Sequence, residues 1–278
     1  MYGEWGYQTM KIIVDAFGGD NAPLEILKGC QQAVEEYGLE ILLTGSQKEI
    51  QRVAEENGIS LSHMEIADAP DVITMEDSAG EIMKSKSNCS MAEGLRLLAA
   101  GRGDAFLTAG NSGALVVGAT LIVKRIRGVK RCAFAPVMPK DEGCFMLIDS
   151  GANVECRPEQ LQQFGIMGSI YMERVMGVKN PRVGLANVGV EDHKGGELQH
   201  ETFALLKKSP VNFIGNIEAR DIPMDAADVI VSDGFTGNVI LKLYEGVAMT
   251  VMGKIKGVLT KSLKNKLAAA LILPDMKV

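Results

Sequence analysis

The sequence predicts an α/β protein of three layers, in which helices cover both faces of a mostly parallel sheet. The first observation is a recurrence: five times along the chain an apolar run ends in a glycine-rich polar loop, and a helical pattern begins after it. The second is the spacing, because strands that alternate with helices in this way join as crossover units of a parallel sheet. The composition, with 46 % hydrophobic and 23 % charged residues, is that of an ordinary globular protein.

The individual elements follow in order from these patterns. Apolar, mostly β-branched runs predict strands at 11–15, 40–44, 64–67, 104–108, 145–149, 183–186, 211–215 and 227–232. Apolar residues at three- and four-residue spacing predict helices at 24–37, 47–57, 90–100, 115–124 and 158–176, and further helices that begin near 197 and 239. Ser46, with Glu49 three residues later, has the pattern of a capping box before the second helix.

Residues 10–278 are predicted to form a single catalytic domain, since a chain of 278 residues can bury a substantial core. Residues 1–9 show no periodicity and precede a clear strand, so they are expected to be a leader or an added remnant outside the fold. No run reaches the roughly 18 apolar residues that a membrane-spanning helix needs. The five cysteines form no CxxC pair and follow no signal peptide, which indicates reduced thiols in the cytoplasm.

Several classes of function are disfavoured by composition and motif. A net charge of −6 and an aromatic content of 5 % argue against a nucleic-acid partner. No loop matches the dinucleotide pattern G-x-G-x-x-G or the P-loop, and no His/Asp cluster has metal-ligand spacing. No G-x-S-x-G elbow signals a serine nucleophile. The sequence therefore predicts neither a cofactor nor a metal.

The densest polar loop is 187–196, with the sequence NVGVEDHKGG, between a predicted strand and a predicted helix. Its glycines would let the backbone approach a ligand, and the N–H groups that open the next helix favour an anion. Loops at the carboxyl ends of parallel strands lie on one edge of a sheet, which is where open α/β sheets bind ligands. The residues then expected to face one crevice are Asp15, Asn111, Asn153, Lys194 and Asp233. The alternative for loop 187–196 is a solvated surface loop.

Five loop motifs together resemble one family, the bacterial acyl-ACP:phosphate acyltransferases of phospholipid synthesis (PlsX). They are DAFGGD at 15–20 with Ala22-Pro23, AGNSGA at 109–114, DSGAN at 149–153, NVG at 187–189 with Glu191 and Lys194-Gly195, and DGFTGN at 233–238. The resemblance runs in order from Met10 to the end of the chain. The family continues for several tens of residues beyond this point, with a further glycine-rich segment and a His-Gly-Ser stretch, so any site residues there cannot be named.

The resemblance implies a fold similar to isocitrate and isopropylmalate dehydrogenases and to phosphotransacetylases, and a homodimer. It implies that a fatty acyl group passes from acyl carrier protein to inorganic phosphate. The acyl-phosphate product then feeds the membrane glycerol-3-phosphate acyltransferase. Phosphate is itself the nucleophile in this reaction, so the protein needs to supply positioning and charge stabilisation rather than a covalent intermediate.

Roles for individual residues are hypotheses at this stage. Lys194 would neutralise phosphate or the developing oxyanion, and His193 would protonate the leaving thiolate or remain a solvated bystander. Asn111 and Asn153 are expected to donate to phosphate, while Asp15 and Asp233 either orient loops or act directly. Ser112 is interpreted as a helix N-cap or a phosphate donor. The remaining predicted binding positions are Gly18, Gly19, Gly110, Gly113, Gly195 and Asn238.

The C-terminal part is basic although the protein is acidic. Between Glu245 and Asp275 there is no acid but there are five lysines, and apolar residues recur at three- and four-residue steps. This predicts a basic amphipathic helical segment at about 247–273, bent near Gly257. It would pack a dimer, or it would touch the anionic inner face of the cell membrane, as a peripheral contact, through Lys254, Lys261, Leu263, Lys264 and Leu267. Acyl carrier protein, which is acidic, could dock on this segment or on the basic cluster at 125–131.

Two rival functions remain open from the sequence. One is a metal- and NAD-dependent β-decarboxylating dehydrogenase of similar fold, for which Asp221, Asp225, Asp228 and Asp233 are candidate ligands. The other is a non-catalytic protein that binds anions or lipids at the membrane surface.

Overall fold

The strands of the protein pair into two sheets, in a computed structural model that describes residues 10–272. The predicted leader at 1–9, and the end of the predicted amphipathic segment at residue 273, lie outside the described residues. The chain divides into two compact units, Met1–Cys132 and Ala133–Val278, and each contains one of the sheets. The strand pattern was interpreted as a single sheet, but periodicity identifies strands and not their partners. The prediction that 10–278 is one domain stays a prediction.

The first unit has a parallel sheet in the order β3-β2-β1-β4. Its strands are β1 Lys11–Asp15, β2 Glu40–Gly45, β3 Met64–Asp68 and β4 Ala105–Leu107. Its helices are α1 Leu24–Tyr37, α2 Gln47–Asn57, α3 Ser90–Ala99 and α4 Ser112–Gly118, with a 3-10 helix at Ala79–Met83 and a π-helical turn at Ala119–Val123. Glu49 N–H donates to the Ser46 hydroxyl, so Ser46 is the N-cap of α2, while the Glu49 carboxylate accepts from Arg52 and not from the Ser46 N–H that a capping box would use.

Both faces of this sheet are covered. Val14 and Leu43 belong to a core cluster shared with α1 and α2. Ile13 and Leu42, which alternate with them, are also buried, and α3 contacts both β1 and β2. Burial of successive residues in a strand requires apolar layers on its two sides. The three-layer arrangement predicted from the sequence therefore holds in this unit.

The second unit has a mixed sheet in the order β5-β6-β9-β7-β8, in which every described pair except β5–β6 is parallel. Its strands are β5 Val137–Pro139, β6 Cys144–Ile148, β7 Arg182–Asn187, β8 Asn212–Glu218 and β9 Val229–Val231. Its helices are α5 Pro158–Arg174, α6 Glu197–Leu206, α7 Gly234–Thr260 and α8 Leu263–Ile272, with a 3-10 helix at Ala219–Met224. One apolar cluster joins this sheet to α5 and α6, and another joins its opposite face to α7. The α/β class is confirmed.

Two predicted boundaries and one predicted bend in the second unit are wrong. Strand β8 does not end at Gly215 but continues to Glu218: the register passes over Ile214 as a bulge, and Gly215, at a φ of 103°, resumes the pairing with Gly184. Helix α7 begins at Gly234 rather than near 239. It also passes through Gly257 without a break, and the interruption falls at Lys261 and Ser262. Within residues 10–272, no helix has both the length and the apolar character needed to cross a membrane.

The amino ends of β7 and β9 are joined by a cluster of four charged residues. Lys140 Nζ lies 2.7 Å from Asp228 Oδ1, and the Lys140 side chain is only 4 % exposed. Arg182 donates to Asp228 through its backbone N–H at 2.8 Å and its Nε at 3.1 Å, and its guanidinium also meets Asp225. Burial favours a higher pKa for Asp228, but the hydrogen bonds from Arg182 and Lys140 outweigh it and hold the pKa well below its usual range.

Candidate functional site

In the first unit the site is built on neighbouring strands β1 and β4, which leave the sheet at the same edge. The Asp15 carboxylate is 2 % exposed and accepts the Phe17 N–H at 3.1 Å and the Thr108 hydroxyl at 2.8 Å. Thr108 Oγ1 in turn accepts the N–H of Gly110 at 3.0 Å. One buried carboxylate thus ties together the two loops in which Gly18 and Gly110 were predicted to bind substrate.

These two loops touch at their glycines. A Cβ added to Gly18 would lie 2.4 Å from Thr108 Oγ1 and 2.8 Å from the Gly110 nitrogen, so no side chain fits there. Gly19 follows with a φ of 105°, a conformation that favours glycine. The sequence therefore needs both glycines for the backbones to approach each other.

The side chain of Asn111, which was expected to donate to phosphate, instead bonds the protein's own backbone. Its Oδ1 accepts the Ala114 N–H at 3.0 Å and so caps α4, while its Nδ2 donates to the carbonyls of Thr74 at 2.9 Å and Asp77 at 3.1 Å. Both amide hydrogens are engaged, so donation to phosphate would require exchanging one of these bonds. The interpretation of Ser112 as N-cap is wrong, because Asn111 holds that position and Ser112 is the first, exposed residue of α4. Gly113 follows it in the same turn.

In the second unit the sheet order brings three predicted loops to one edge. Strand β9 lies between β6 and β7 and is parallel to both, so the loops that carry Asn153, Asp233 and Lys194 leave from adjacent strands. The structure therefore brings these three together within one unit. Asp15 and Asn111 are at the corresponding edge of the other sheet.

The loop after β6 is organised by Asp149, the first residue of the DSGAN motif at 149–153. Its carboxylate is fully buried and Oδ1 accepts the N–H groups of Phe134, Gly151 and Ala152 at 2.9–3.2 Å. Its Oδ2 accepts the backbone N–H of Asn153 at 2.7 Å and that residue's side-chain amide at 2.8 Å. The Asn153 amide predicted to hold phosphate thus holds this carboxylate.

The first turn of α7 packs directly on that loop. A Cβ on Gly237 would lie 1.9 Å from the carbonyl oxygen of Asp149, so only glycine permits the contact. Asp233 is the N-cap of α7, and its two carboxylate oxygens accept the Thr236 N–H at 2.8 Å and hydroxyl at 2.7 Å. Asn238 lies beside Gly151, at whose position a Cβ would be 3.7 Å from Asn238 Oδ1. Asp233 therefore orients the helix start.

Loop 187–196 is folded back on itself by amides. Asn187 donates to the carbonyl of Lys194 at 3.0 Å, and Asn216 on β8 donates to the carbonyl of Glu191 at 2.8 Å. The aliphatic part of Lys194 lies over Gly189, where a Cβ would be 3.0 Å from Lys194 Cγ. Gly195 has a φ of 92°. The loop is thus a fixed support for Lys194.

Lys194 combines this support with an unpaired charge. Its side chain is half-buried, and among the described residues no carboxylate lies within ion-pair distance of its ammonium. His193 is exposed, and its carbonyl accepts from the ring of His200 at 2.9 Å. An ammonium that is held in place and not neutralised can stabilise an anion or an oxyanion.

Sequence reasoning missed two charged residues at this edge. Glu218 ends β8 opposite Asn187, and Arg220 Nε lies 2.7 Å from Glu218 Oε2 with most of the guanidinium side chain exposed. They were missed because the strand was ended at Gly215. The signal was present in Asn216-Ile217-Glu218, whose alternation of polar and apolar residues continues the strand pattern.

Two of the cysteines and two of the candidate metal ligands are buried or paired in the described residues. Burial raises the pKa of Cys30 to about 11 and also raises the pKa of Cys89, so both thiols are weak nucleophiles. Asp225 and Asp228, candidate ligands for the rival dehydrogenase, are paired with Lys140 and Arg182. No group of three or more metal-ligating side chains comes together in the part of the chain that the structure describes.

Proteins similar to this chain are found both among known sequences and among solved structures. A family model described as "Fatty acid synthesis protein" matches residues 10–278. The phosphate acyltransferase of Acetivibrio thermocellus is 47 % identical over 270 residues, which cover 97 % of this chain and 80 % of that protein. The phosphate acyltransferase of Bacillus licheniformis is 48 % identical over 271 residues, covering 96 % and 81 %.

Solved structures of similar fold are more distant in sequence. The EutD phosphotransacetylase from Staphylococcus aureus superimposes with a TM-score of 0.64 at 17 % identity, covering 86 % of this chain and 82 % of that one. A phosphotransacetylase from Streptococcus pyogenes gives a TM-score of 0.63 at 15 % identity, with 87 % and 82 % covered. At these identities the likeness shows the fold alone.

Proposed function

Since the chain belongs to the PlsX family of phosphate acyltransferases and is therefore an acyltransferase, we propose that its donor is a fatty acyl thioester of acyl carrier protein and its product the acyl-phosphate. Inorganic phosphate is the acceptor that the family name implies. The acyl-phosphate would serve phospholipid synthesis. The rival dehydrogenase and the non-catalytic alternative do not agree with this membership.

The proposed step forms one bond and breaks one. An oxygen of hydrogen phosphate attacks the thioester carbonyl carbon, a tetrahedral oxyanion forms, and the carbon–sulfur bond breaks as the carbonyl is restored. The proton of hydrogen phosphate passes to the thiolate, which leaves as the free thiol of the carrier protein. No electrons are exchanged with a cofactor and no group of the protein is acylated.

The observation that carries this proposal is Lys194, a half-buried residue without an ion-pair partner among the described residues, on a loop fixed by Asn187 and Asn216. We assign Lys194 to phosphate or to the oxyanion, because a preorganised cation stabilises charge that develops in the transition state. His193 is exposed and precedes it in the chain, where an imidazole can relay the proton of hydrogen phosphate to the thiolate.

The remaining predicted polar residues are proposed to position backbone N–H groups. Asn111, Asn153 and Asp233 each already bond the backbone of their own loop, and Asp15 holds two loops together. Backbone amides at helix starts bind anions without further charge. In the first unit anion contacts are therefore assigned to the loops that carry Gly18, Gly110 and Gly113, with Ser112 at the start of α4. In the second unit they are assigned to the loop of Gly195 and to the first turns of α7, which include Asn238.

The direct test is to mix the purified protein with palmitoyl-acyl carrier protein and inorganic phosphate, and to trap acyl-phosphate as its hydroxamate. Formation that depends on phosphate, survives EDTA and needs no nucleotide would support the proposal. Release of free fatty acid alone, or a covalent acyl-protein adduct during turnover, would refute it.

The lysine-rich end is proposed to contact an anionic membrane surface. Lys254, Lys261 and Lys264 are exposed, and Leu263 and Leu267 are exposed by 76 % and 64 % on the same segment. Apolar side chains beside lysines favour reversible binding at a lipid interface. The test is to measure the binding of wild type and of Leu263→Glu to vesicles with and without anionic lipid, at low and at raised salt. A wild-type protein that does not bind anionic vesicles would refute the proposal.

A homodimer is proposed on the adjoining part of α7. Val239, Leu243, Val247 and Val251 recur every four residues and are 49–66 % exposed, and they line a groove of about 610 Å³ with Tyr244. Such an apolar stripe is typical of a helix–helix interface. Equilibrium sedimentation of wild type and Leu243→Glu tests it, and a monomeric wild type would refute it.

A further inference from the structure

A second apolar groove lies wholly within the first unit, between α1 and the face of β1 and β4. Its volume is about 430 Å³, within the range of small-molecule sites. On the α1 side the lining positions follow helical spacing, at Ile26, Gly29, Cys30 and Ala33. On the sheet side they are alternate strand residues that share one face, Ile12 and Val14 on β1 and Leu107 on β4.

The groove is almost entirely apolar except at one end. Its polar side chains are Asp15, Thr108 and Glu25, and the first two form the hydrogen bond that joins the Gly18 and Gly110 loops. Ala109, which precedes Gly110, completes that end. The groove therefore runs from the loop edge of the sheet along its face.

This groove has room for a ligand beside the helix. Leu107 is 61 % exposed although it lies opposite buried Val14, and a Cβ added to Gly29 would meet nothing within 4 Å. An apolar strand face exposed to this degree loses the free energy that covering it would provide. A flexible hydrocarbon chain can fill an open apolar groove of this shape without displacing a side chain.

We propose that this groove binds the fatty acyl chain of the donor, with the thioester end at Asp15 and Thr108 and the methyl end along α1. This rests on the proposed function, since an acyltransferase must hold the hydrocarbon part of its substrate near its reacting end. The loops at the polar end are the two that meet at the Gly18–Gly110 contact, and anion binding is assigned to these loops. A second copy of this chain seated on the same face is the competing occupant.

Gly29→Leu places a side chain into the groove at a position where a Cβ would meet nothing within 4 Å, and replacing a glycine inside a helix also favours the helix. The variant and wild type are compared with palmitoyl- and octanoyl-acyl carrier protein. The expected result is a rise in KM for the palmitoyl donor of about tenfold, the cost of leaving about two methylene groups in water, with the octanoyl donor almost unaffected. Gln32→Leu, an exposed residue of α1 outside the groove, is the matched control.

A binding measurement separates this inference from the proposed function. Titration with cis-parinaric acid, a fluorescent fatty acid, is expected to show binding to wild type and to Gln32→Leu and weakened binding to Gly29→Leu. An unchanged chain-length profile together with unchanged probe binding would overturn the groove assignment even where acyl-phosphate forms. Wild type that forms no acyl-phosphate would overturn the proposed function while the probe titration still decides the groove. A dimer that dissociates only in Gly29→Leu, with the same profile, would assign the face to a second copy and overturn the proposal.

Discussion

The two ends of the second sheet handle charge in opposite ways. At the amino ends of β7 and β9, Lys140, Arg182, Asp225 and Asp228 are mutually paired, and the Lys140 side chain is almost completely buried. At the carboxyl ends, Lys194 is half-buried and has no ion-pair partner among the described residues, although it stands on a rigid loop. Paired charges hold the sheet together, whereas a cation left unpaired keeps its field available for an anion. Substitutions at the two ends should therefore affect different quantities.

The largest effect is expected at the paired end. Asp228→Asn keeps the volume but removes the more buried of the two carboxylates shared by Lys140 and Arg182 and leaves Asp225 as their charged partner, so the free energy of unfolding should fall by about 3 kcal/mol. Urea denaturation measures it, with Asp192→Asn, at a residue that is largely exposed, as the control. Equal stability of Asp228→Asn and wild type would mean that this cluster does not stabilise the sheet.

Next in size is the expected loss at the unpaired end. Lys194→Ala should lower turnover by about two to three orders of magnitude, because removing one oxyanion-stabilising group costs about 2.7–4 kcal/mol of barrier. Its free energy of unfolding should stay within about 0.5 kcal/mol of wild type. Lys208→Ala, at an exposed lysine just after α6, is the matched control for both measurements. Near-normal turnover in Lys194→Ala would remove this residue from the reaction.

Acid should remove the difference in the free energy of unfolding between wild type and Asp228→Asn. The pKa of Asp228 is lowered in the folded protein, so its stabilisation is present above the unfolded pKa of about 3.9 and is lost as the pH falls through the folded value. The gap in unfolding free energy between the two proteins should therefore narrow steadily below about pH 4. A gap that stays constant down to about pH 2 would contradict the lowered pKa.

The smallest effect is expected at Asp233, which lies at the carboxyl end of the sheet but whose side chain caps helix α7. Asp233→Ala removes the N-cap of α7 and should cost about 1 kcal/mol of stability, with a modest loss of turnover. Asp233→Asn keeps an N-cap acceptor and should restore both. Restored stability without restored turnover would show instead that the negative charge itself takes part in the reaction.

The loops that carry the candidate site could be predicted from the sequence because their close backbone contacts require glycine, which is easily recognised in a motif. Gly18 and Gly237 sit where the backbone approaches another chain segment too closely for a Cβ, and both lie in motifs that the sequence indicated. The strands before these loops are short apolar runs, and this pattern also predicted them. The capping of α4 was less certain, since Asn111 and Ser112 are both good N-cap residues and only the geometry selects the first.

Contacts between distant residues could not be predicted. Lys140 and Asp228 are 88 residues apart, and no periodicity links them. Strand β5 has three residues and pairs antiparallel at the edge, which is too short for a pattern. The division into two sheets also depends on partners that strand periodicity does not specify. The uses of Asn111 and Asn153 as loop supports followed from neighbours that only the fold supplies.

The contact between Gly237 and Asp149 has a mechanical consequence. Helix α7 has 27 residues and is a stiff rod about 40 Å long, at about 1.5 Å per residue. The first turn of this helix packs against the loop of Asp149 so closely at Gly237 that no Cβ would fit. We therefore expect a tilt of the helix to displace the loop. A force applied to the lysines near the other end of α7 would therefore be transmitted along the helix to the loop that holds Asn153.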